Sequence, residues 1–171
     1  MTTEITLKRA DIEDAERLNL LINEAYRGEE GWTRETEIVN GQRSSVDGIR
    51  ALIKRPDSHL LVATISDALA ACICVEEKED KACIGTFAVS PELQNQGIGH
   101  RVLKLAESYA VNDLGYQYIE MLVISQREEL IAFYERRGYK RSGKRSAYPV
   151  HLNVGIPAVE GLSIERLEKI T

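Results

Sequence analysis

A short turn in this chain has residue types and spacing that suit the binding of an anion. Gln94, Gly97 and Gly99 lie between an apolar segment rich in β-favouring residues, 84–89, and a run with helical periodicity, 100–114. A turn that leads into a helix N-terminus points several backbone N–H groups and the positive end of the helix dipole at one place. The two glycines let the main chain approach a phosphate without an intervening Cβ. The turn therefore predicts a phosphate site, although glycine-containing connections of this kind also occur without a ligand.

The spacing of these residues belongs to a longer pattern with a strand before it and a helix after it. It is neither the Gly-Lys-Ser/Thr of a P-loop nor the G-x-G-x-x-G of a dinucleotide-binding turn. The string Val89-x-Pro91-x-x-Gln94-x-x-Gly97-x-Gly99 resembles the acetyl-CoA signature of the GNAT N-acetyltransferase superfamily. The resemblance implies that the pantetheine arm of acetyl-CoA lies along the strand, that its pyrophosphate lies on the turn, and that the Val89 amide stabilises the developing oxyanion. The residues so implied to bind acetyl-CoA are Phe87, Ala88, Val89, Gln94, Asn95, Gln96, Gly97, Ile98, Gly99 and His100.

A second motif resembles the end of a helix of the same family. Residues 133–139 read Phe-Tyr-Glu-Arg-Arg-Gly-Tyr, where the family pattern is Phe-Tyr-x-x-x-Gly-Phe/Tyr. The resemblance implies that Tyr134 is catalytic and donates a proton to the departing thiolate, since a thiol has an ordinary pKa of about 8.5. The alternative is a half-buried aromatic residue on an amphipathic helix. Many relatives carry Asn seven residues before this tyrosine, whereas this chain has Arg127, which we interpret as a solvated arginine of the first helical turn.

The sequence does not assign the group that accepts the proton of an amine substrate. Relatives often use a Glu on the strand that leads into the turn, but residues 84–89 contain no carboxylate. The candidates that remain are Glu120, Glu76, His59 and the pair Glu29/Glu30. Surface carboxylates are abundant in any soluble protein, so the ordinary surface role is the favoured interpretation of each carboxylate.

Substrate choice in this family is made by the variable segment after the first helix, here residues 26–43. The residues of this segment that we predict to bind the acceptor are Tyr26, Glu29, Glu30 and Trp32. Two carboxylates beside an aromatic ring would receive a cationic amine by charge and cation–π contact. The alternative is a solvated loop folded over one buried tryptophan.

The elements that must position these residues follow from periodicity and turn signals, in the order β-α-α-β-β-β-α-β-α-β-β. This order resembles the GNAT fold: an α/β protein with a single mixed sheet of six to seven strands flanked by helices, in which the strands ending near Val89 and Ile124 splay apart around the cofactor. We expect helices over Val46–Lys54, 100–114 and 126–137 and a hairpin that turns at Ser66–Asp67. Residues 162–169 fit a last strand and, almost as well, a short helix.

Composition limits the classes of function. The 171 residues suit one domain over 1–171, and the net charge of −5 does not favour a nucleic-acid partner. We see no apolar run long enough to cross a membrane and no signal-peptide pattern, so we expect a cytoplasmic protein. Cys72, Cys74 and Cys83 read as small hydrophobic residues, with a catalytic thiol as the lesser alternative. With only three histidines we expect no metal site.

Taken together, the resemblance implies an N-acetyltransferase that moves the acetyl group of acetyl-CoA directly to a primary amine of a small molecule or peptide. Two alternatives remain open. One is an acyl-CoA-binding sensor or subunit without catalysis, and the other is the same fold with a different acyl-CoA donor. Homodimers are common in the family, although nothing in this sequence specifies one.

Overall fold

A computed structural model describes residues 4–27, 39–40, 43–149, 156–157 and 161–171. The helices are α1 (Ala15–Arg27), α2 (Val46–Lys54), α3 (Ile98–Ser108) and α4 (Glu128–Glu135). The strands are β1 (Thr6–Arg9), β2 (Val39–Asn40), β3 (Ser58–Ile65), β4 (Ala68–Glu77), β5 (Ala82–Val89), β6 (Tyr118–Ile124), β7 (Lys140–Ala147), β8 (Ile156–Pro157) and β9 (Ser163–Ile170).

Seven of these strands form one mixed sheet in the order β1-β3-β4-β5-β6-β9-β7. The pair β5–β6 is parallel, and the other neighbouring pairs in this sheet are antiparallel. Helix α3 makes the crossover between the two parallel strands, as a parallel connection requires. The predicted mixed sheet flanked by helices is therefore confirmed. Strands β2 and β8 form a separate short antiparallel pair.

Each face of the sheet packs against its own helices, because side chains alternate along a strand. On one face, residues such as Leu61 and Ile73 join Val102 and Leu103 of α3 in one buried cluster. On the other face, Leu60, Val62, Cys72 and Cys74 join residues of α1 and α2 in a second cluster. The sheet is thus packed between α3 on one face and α1 and α2 on the other, and this packing fixes the positions of the residues at the strand ends.

Strands β5 and β6 pair only over their first halves. The paired residues run from Ala82 with Ile119 to Ile84 with Met121, although β5 continues to Val89 and β6 to Ile124. The carboxyl halves of the two strands therefore diverge and leave a cleft between them, which confirms the predicted splay.

A β-bulge in β5 lies at the start of this cleft. The register of β5 against β4 shifts between Cys72 and Cys74, and Thr86 has a positive φ of 46°. A bulge removes residues from the ladder and turns their backbone groups in a new direction. In β5 it lies directly before Phe87 and Val89, the residues predicted to bind the pantetheine arm.

Local signals account for several boundaries. Helix α2 has the predicted bounds because the Ser45 side chain accepts a hydrogen bond from Gly48 N at 3.0 Å and Pro56 follows the helix. Helix α3 continues from Ser108 into a π-helical turn over Tyr109–Asp113. None of the helices in the described ranges has the length and apolar character that crossing a membrane requires.

Candidate active site

A cavity of about 360 Å³ lies at the mouth of the cleft between β5 and β6. It is lined by residues of α1, β5, the turn before α3, the first turn of α3, and α4 with its flanking residues. The residues that line it are Ala25, Tyr26, Phe87, Ala88, Val89, Gln94, Asn95, Gly97, Gly99, His100, Arg127, Leu130, Phe133, Tyr134 and Arg137.

One end of the cavity is the N-terminus of α3. Gly97 is the N-cap and has the left-handed φ of +76°, so the chain enters the helix through a conformation that glycine adopts without strain. The free N–H groups of the first turn lie beyond it, with the positive end of the helix dipole. The Gln94 side chain donates a hydrogen bond to the Val89 carbonyl at 3.1 Å and so ties the turn to the end of β5. This end can hold an anion.

Arg137 and His100 lie beside the N-terminus of α3. The Arg137 Nε donates to His100 Nδ1 at 3.0 Å, and its Nη1 donates to the Phe133 carbonyl at 2.8 Å. The guanidinium lies 3.5 Å from the centre of the Phe133 ring. Burial, and then the charge of Arg137, lower the pKa of His100 below its ordinary value. His100 is therefore neutral at neutral pH. Because its Nδ1 accepts a hydrogen bond, its proton is on Nε2.

The edge of β5 presents backbone donors to the cleft. Ser90 N donates to the Ala70 carbonyl of β4 at 2.8 Å. Because hydrogen-bonding directions alternate along an antiparallel strand, the N–H of Val89 points the other way, toward β6. The N–H of Phe87 donates to the Tyr26 hydroxyl of α1 at 3.2 Å.

Tyr134 is buried on α4, with 4% of its surface exposed, and lines the cavity. Its ring makes edge contacts with Phe133 and Tyr139 at centroid distances of 5.4 and 5.9 Å. Burial raises the pKa of Tyr134 above its ordinary value, and the nearby Tyr26 adds to the rise, while Arg127 and Arg137 oppose it. The hydroxyl is therefore protonated at neutral pH.

Arg127 does not have the solvated position that its sequence context suggested. It is half-buried, lines the cavity, and its guanidinium carbon lies 6.0 Å from the centre of the Tyr26 ring. The interpretation as a solvated arginine is wrong because the N-terminus of α4 directly follows β6 and borders the cleft. Arg43 approaches the same ring, at 5.0 Å.

Three candidates for the general base lie away from the cavity. Glu120 is 4% exposed and forms ion pairs with Lys81 at 2.7 Å and Arg166 at 3.4 Å. Glu76 forms ion pairs with Arg55 and Lys78.

His59 is hydrogen-bonded through its two nitrogens to Glu77 and to Tyr109, at 2.9 Å in both cases. Among the described residues that line the cavity there is no Asp or Glu.

The cysteines do not offer a nucleophile. Cys72 and Cys74 are buried, as predicted, and Cys83 is half-buried. Burial raises the pKa of all three thiols to about 12, so the reactive thiolate is scarce at neutral pH. No group of three or more His, Cys, Asp or Glu within the described ranges is placed to hold a metal ion.

The structure brings together most of the residues predicted for the site. Eight of the ten residues predicted to bind the cofactor line the cavity, together with Tyr26 and Tyr134. Gln96 is exposed and donates to the Glu92 carbonyl at 3.2 Å, and the Ile98 side chain packs into the core. Glu29, Glu30 and Trp32 lie outside the described residues. Sequence reasoning missed Arg137, whose guanidinium reaches His100 across 37 positions of the chain, and no local signal marks it.

Comparison with known proteins agrees with this arrangement. A family model described as "Acetyltransferase (GNAT) family" matches residues 16–139. The chain therefore belongs to the GNAT acetyltransferase family, and the predicted recognition is confirmed. Members of this family generally use acetyl-CoA.

Among curated proteins, the S-(2-succino)cysteine N-acetyltransferase of Bacillus subtilis is 33% identical over 69 residues, which cover 40% of this chain and 42% of that enzyme. The match thus spans less than half the length of that relative.

Solved structures of N-acetyltransferases share the fold. A spermidine/spermine N-acetyltransferase from Vibrio cholerae superposes with a TM-score of 0.69 at 17% identity, over 98% of this chain and 92% of that one. A ribosomal-protein-alanine N-acetyltransferase from Escherichia coli gives a TM-score of 0.70 at 16% identity, over 98% and 94%. At such identities the likeness concerns the fold alone.

Proposed function

We propose that this protein transfers the acetyl group of acetyl-CoA directly to a primary amine of a small molecule or peptide. The observation that carries the proposal is the convergence of three features on one cavity. These are the N-terminus of α3, the backbone donors of β5, and the buried hydroxyl of Tyr134. An acyl-CoA transferase needs an anion site, an oxyanion donor and an acid, and these features supply one of each.

The residues at the end of α3 fit the phosphates of acetyl-CoA. Gly97 and Gly99 keep the first turn open, and the N–H groups there meet the pyrophosphate together with the helix dipole. The Nε2–H of His100 is a further donor, held in that tautomer by Arg137. The main chain of residues 87–89 binds the pantetheine arm as an added strand would, because the divergence of β6 leaves that edge unpaired. Bound acetyl-CoA supplies the thioester that the amine attacks.

Two groups of the chain then act on the reaction. The Val89 N–H, directed into the cleft, stabilises the negative charge that develops on the carbonyl oxygen. Tyr134 donates its proton to the departing thiolate, and its raised pKa keeps that proton in place until it is needed. The amine forms a C–N bond to the acetyl group as the C–S bond breaks, and the products are an amide and the free thiol.

The proton that the amine must lose goes to water, and Tyr134 regains a proton from water before the next turnover. The described lining of the cavity contains no carboxylate, and His100 is already occupied at Nδ1. The attacking species is then the fraction of amine that is neutral in solution.

The curated relative supports an amine as the acceptor. The partial Bacillus subtilis match acts on S-(2-succino)cysteine, which carries an amino group. Tyr26, together with Glu29, Glu30 and Trp32, remains our proposal for the acceptor side. The location in the cytoplasm and a homodimer remain predictions from the sequence.

The experiment that tests the function is free-thiol release from acetyl-CoA by the purified protein against a panel of amines. The panel contains S-(2-succino)cysteine, other amino acids, spermidine, and peptides with free N-termini or lysines. Release that depends on one class of amine supports the proposal. Binding of acetyl-CoA with no release, and release only from another acyl-CoA, would instead indicate a sensor or a different donor, respectively.

A further inference from the structure

Two arginines lie near Tyr26, which lines the cavity. The guanidinium carbons of Arg43 and Arg127 lie 5.0 and 6.0 Å from the centre of the Tyr26 ring, and Arg127 lines the cavity. No Asp or Glu is found among the described lining residues. Arg137 and His100, by contrast, lie beside the proposed phosphate site at the N-terminus of α3.

Arg43 is held in its position by α1. Its backbone N–H donates to Asn23 Oδ1 at 2.7 Å, and the next residue, Ser44, donates its own N–H to the same oxygen at 3.2 Å. The Ser44 hydroxyl also donates to Asn19 Oδ1 at 2.7 Å. Asn19 and Asn23 are one helical turn apart, and Tyr26 follows three residues later on the same helix. Helix α1, which carries Tyr26, thus also fixes the backbone of Arg43.

Arg127 occupies a position where stability does not favour an arginine. It is the N-cap of α4, and its side chain makes no capping hydrogen bond. Helices prefer Ser, Thr, Asp or Asn at this position, and a cation at a helix N-terminus opposes the helix dipole. Residues that break a local rule in this way are expected at functional sites. The guanidinium faces Tyr26 and the cavity, where it can contact an acceptor.

From this arrangement we infer that the acceptor amine carries a carboxylate close to its amino group, and that the guanidinium groups of Arg127 and Arg43 bind that carboxylate. Guanidinium groups suit carboxylates because their N–H donors form a planar fork. A polyamine has no carboxylate for the two arginines to bind and is disfavoured. This inference rests on the proposed function and concerns the acceptor class alone.

The test compares three acceptors that differ in their number of carboxylates. S-carboxymethylcysteine has two, S-methylcysteine has one, and 2-(methylsulfanyl)ethylamine has none. Spermidine is added as a cationic acceptor. The measured quantity is kcat/KM for each amine at saturating acetyl-CoA, and we expect it to be highest for the acids and lowest for spermidine. The amines differ in basicity, so the decisive quantity is the acid-to-amine ratio, which is kcat/KM for S-methylcysteine divided by kcat/KM for 2-(methylsulfanyl)ethylamine. This ratio in the native protein is compared with the same ratio in each variant.

The variants are Arg127→Gln and Arg43→Gln, with Arg127→Lys to retain the charge. Arg136→Gln serves as the control, because Arg136 lies at the other end of α4, is exposed and does not line the cavity. We expect Arg127→Gln to lower the ratio by about tenfold or more, since a hydrogen bond to a charged group is lost. Arg127→Lys should recover part of it, and the KM for acetyl-CoA should stay the same in all variants.

Two outcomes would overturn the inference while leaving the proposed function intact. One is turnover that is fastest with spermidine or with the amine that lacks a carboxylate. The other is an acid-to-amine ratio that is the same in Arg127→Gln, Arg43→Gln and the native protein. A rise in the KM for acetyl-CoA in Arg127→Gln, with that ratio unchanged, would assign Arg127 to the cofactor. Absence of thiol release with every amine, by contrast, would contradict the proposed function itself.

Discussion

The hydroxyl of Tyr26 accepts a hydrogen bond from the backbone N–H of Phe87 at 3.2 Å, across 61 positions of the chain. Phe87 lies in the irregular part of β5, where the register against β4 shifts, and α1 supplies the hydrogen-bond acceptor for its N–H. A backbone donor that would otherwise lack a protein partner is thereby satisfied, and α1 is fixed against the strand that we propose binds the pantetheine arm. The proposed acceptor side and the proposed cofactor side of the cavity are therefore joined by one hydrogen bond.

Removal of this hydroxyl in Tyr26→Phe should lower the free energy of unfolding by about 1 kcal/mol, the usual value of one hydrogen bond beside a cavity that water can enter. The ring remains, so its contact with Arg43 is kept. Tyr26→Leu removes the ring as well and should be less stable than Tyr26→Phe. Urea unfolding measures both. Equal stability of Tyr26→Phe and the native protein would show that the bond does not fix α1.

Two buried tyrosines offer a matched pair of substitutions. In Tyr134→Phe we expect kcat to fall by about a hundredfold, with acetyl-CoA binding nearly unchanged, because the acid for the thiolate is lost. Tyr139 lies 5.9 Å away, ring to ring, but its hydroxyl donates to the buried carboxylate of Glu107 at 2.8 Å.

Tyr139→Phe should therefore lower the free energy of unfolding by about 1.5–3 kcal/mol and leave kcat close to native. Calorimetric titration with acetyl-CoA and steady-state kinetics separate the two cases. Native turnover in Tyr134→Phe would remove that residue from the chemistry.

Gly99 distinguishes binding from stability. A Cβ at this position would lie 3.6 Å from Val89 Cγ2 and 3.7 Å from Phe87 Cζ, which is ordinary contact. Gly99→Ala should therefore keep or raise stability, by up to about 1 kcal/mol from helix propensity. The added methyl group points toward the cleft, so the Kd for acetyl-CoA should rise by roughly tenfold.

The control for that substitution is Gly115→Ala, which lies away from the cavity and has a φ of +81°. It should lose about 1 kcal/mol of stability and keep its affinity for acetyl-CoA. If Gly99→Ala bound acetyl-CoA as tightly as the native protein, the cofactor would lie elsewhere.

The pH dependence should follow the acceptor. If water takes the proton of the amine, kcat/KM for the acceptor rises with pH toward the pKa of that amine, about 8 for an α-amino group and about 10.4 for a lysine-like one. Burial raises the pKa of Tyr134 above its ordinary value of 10, so the acid stays protonated and no decline is expected below about pH 10. One inflection near pH 6 shared by all acceptors would point to a base on the protein.

The sequence pattern predicted those elements whose boundaries depend on neighbouring residues, such as turn residues and proline. Helix α2 was predicted with its observed bounds, ending before Pro56, and the hairpin turns at Ser66–Asp67 as predicted. Both turn residues have positive φ, which tight hairpin turns require. Residues 162–169 were ambiguous because the choice between strand and helix depends on partners distant in sequence. Strand β9 is fixed by pairing with both β6 and β7. The π-helical turn after α3 has no local signal, and there the Tyr109 hydroxyl reaches His59.

The site was predictable only as far as the motifs extend. The turn at Gly97 and Gly99 and the helix with Tyr134 were found from resemblance, and they meet in one cavity. The contact of Arg137 with His100, the bond of Tyr26 to Phe87 and the approach of Arg127 to Tyr26 join residues 37 to 101 positions apart. Such contacts depend on how the sheet brings α1, α3 and α4 together, and no spacing of residues in the sequence indicates them.

The most direct test of direct acetyl transfer at this cavity is mass spectrometry of both the amine and the protein after reaction with acetyl-CoA. We predict that the accepted amine gains one acetyl group, that the protein gains none when the amine is left out, and that Tyr134→Phe forms far less product. Acetylation of the protein followed by its loss on addition of the amine would contradict direct transfer. Unmodified amines across the whole panel, with acetyl-CoA bound, would contradict the transferase itself.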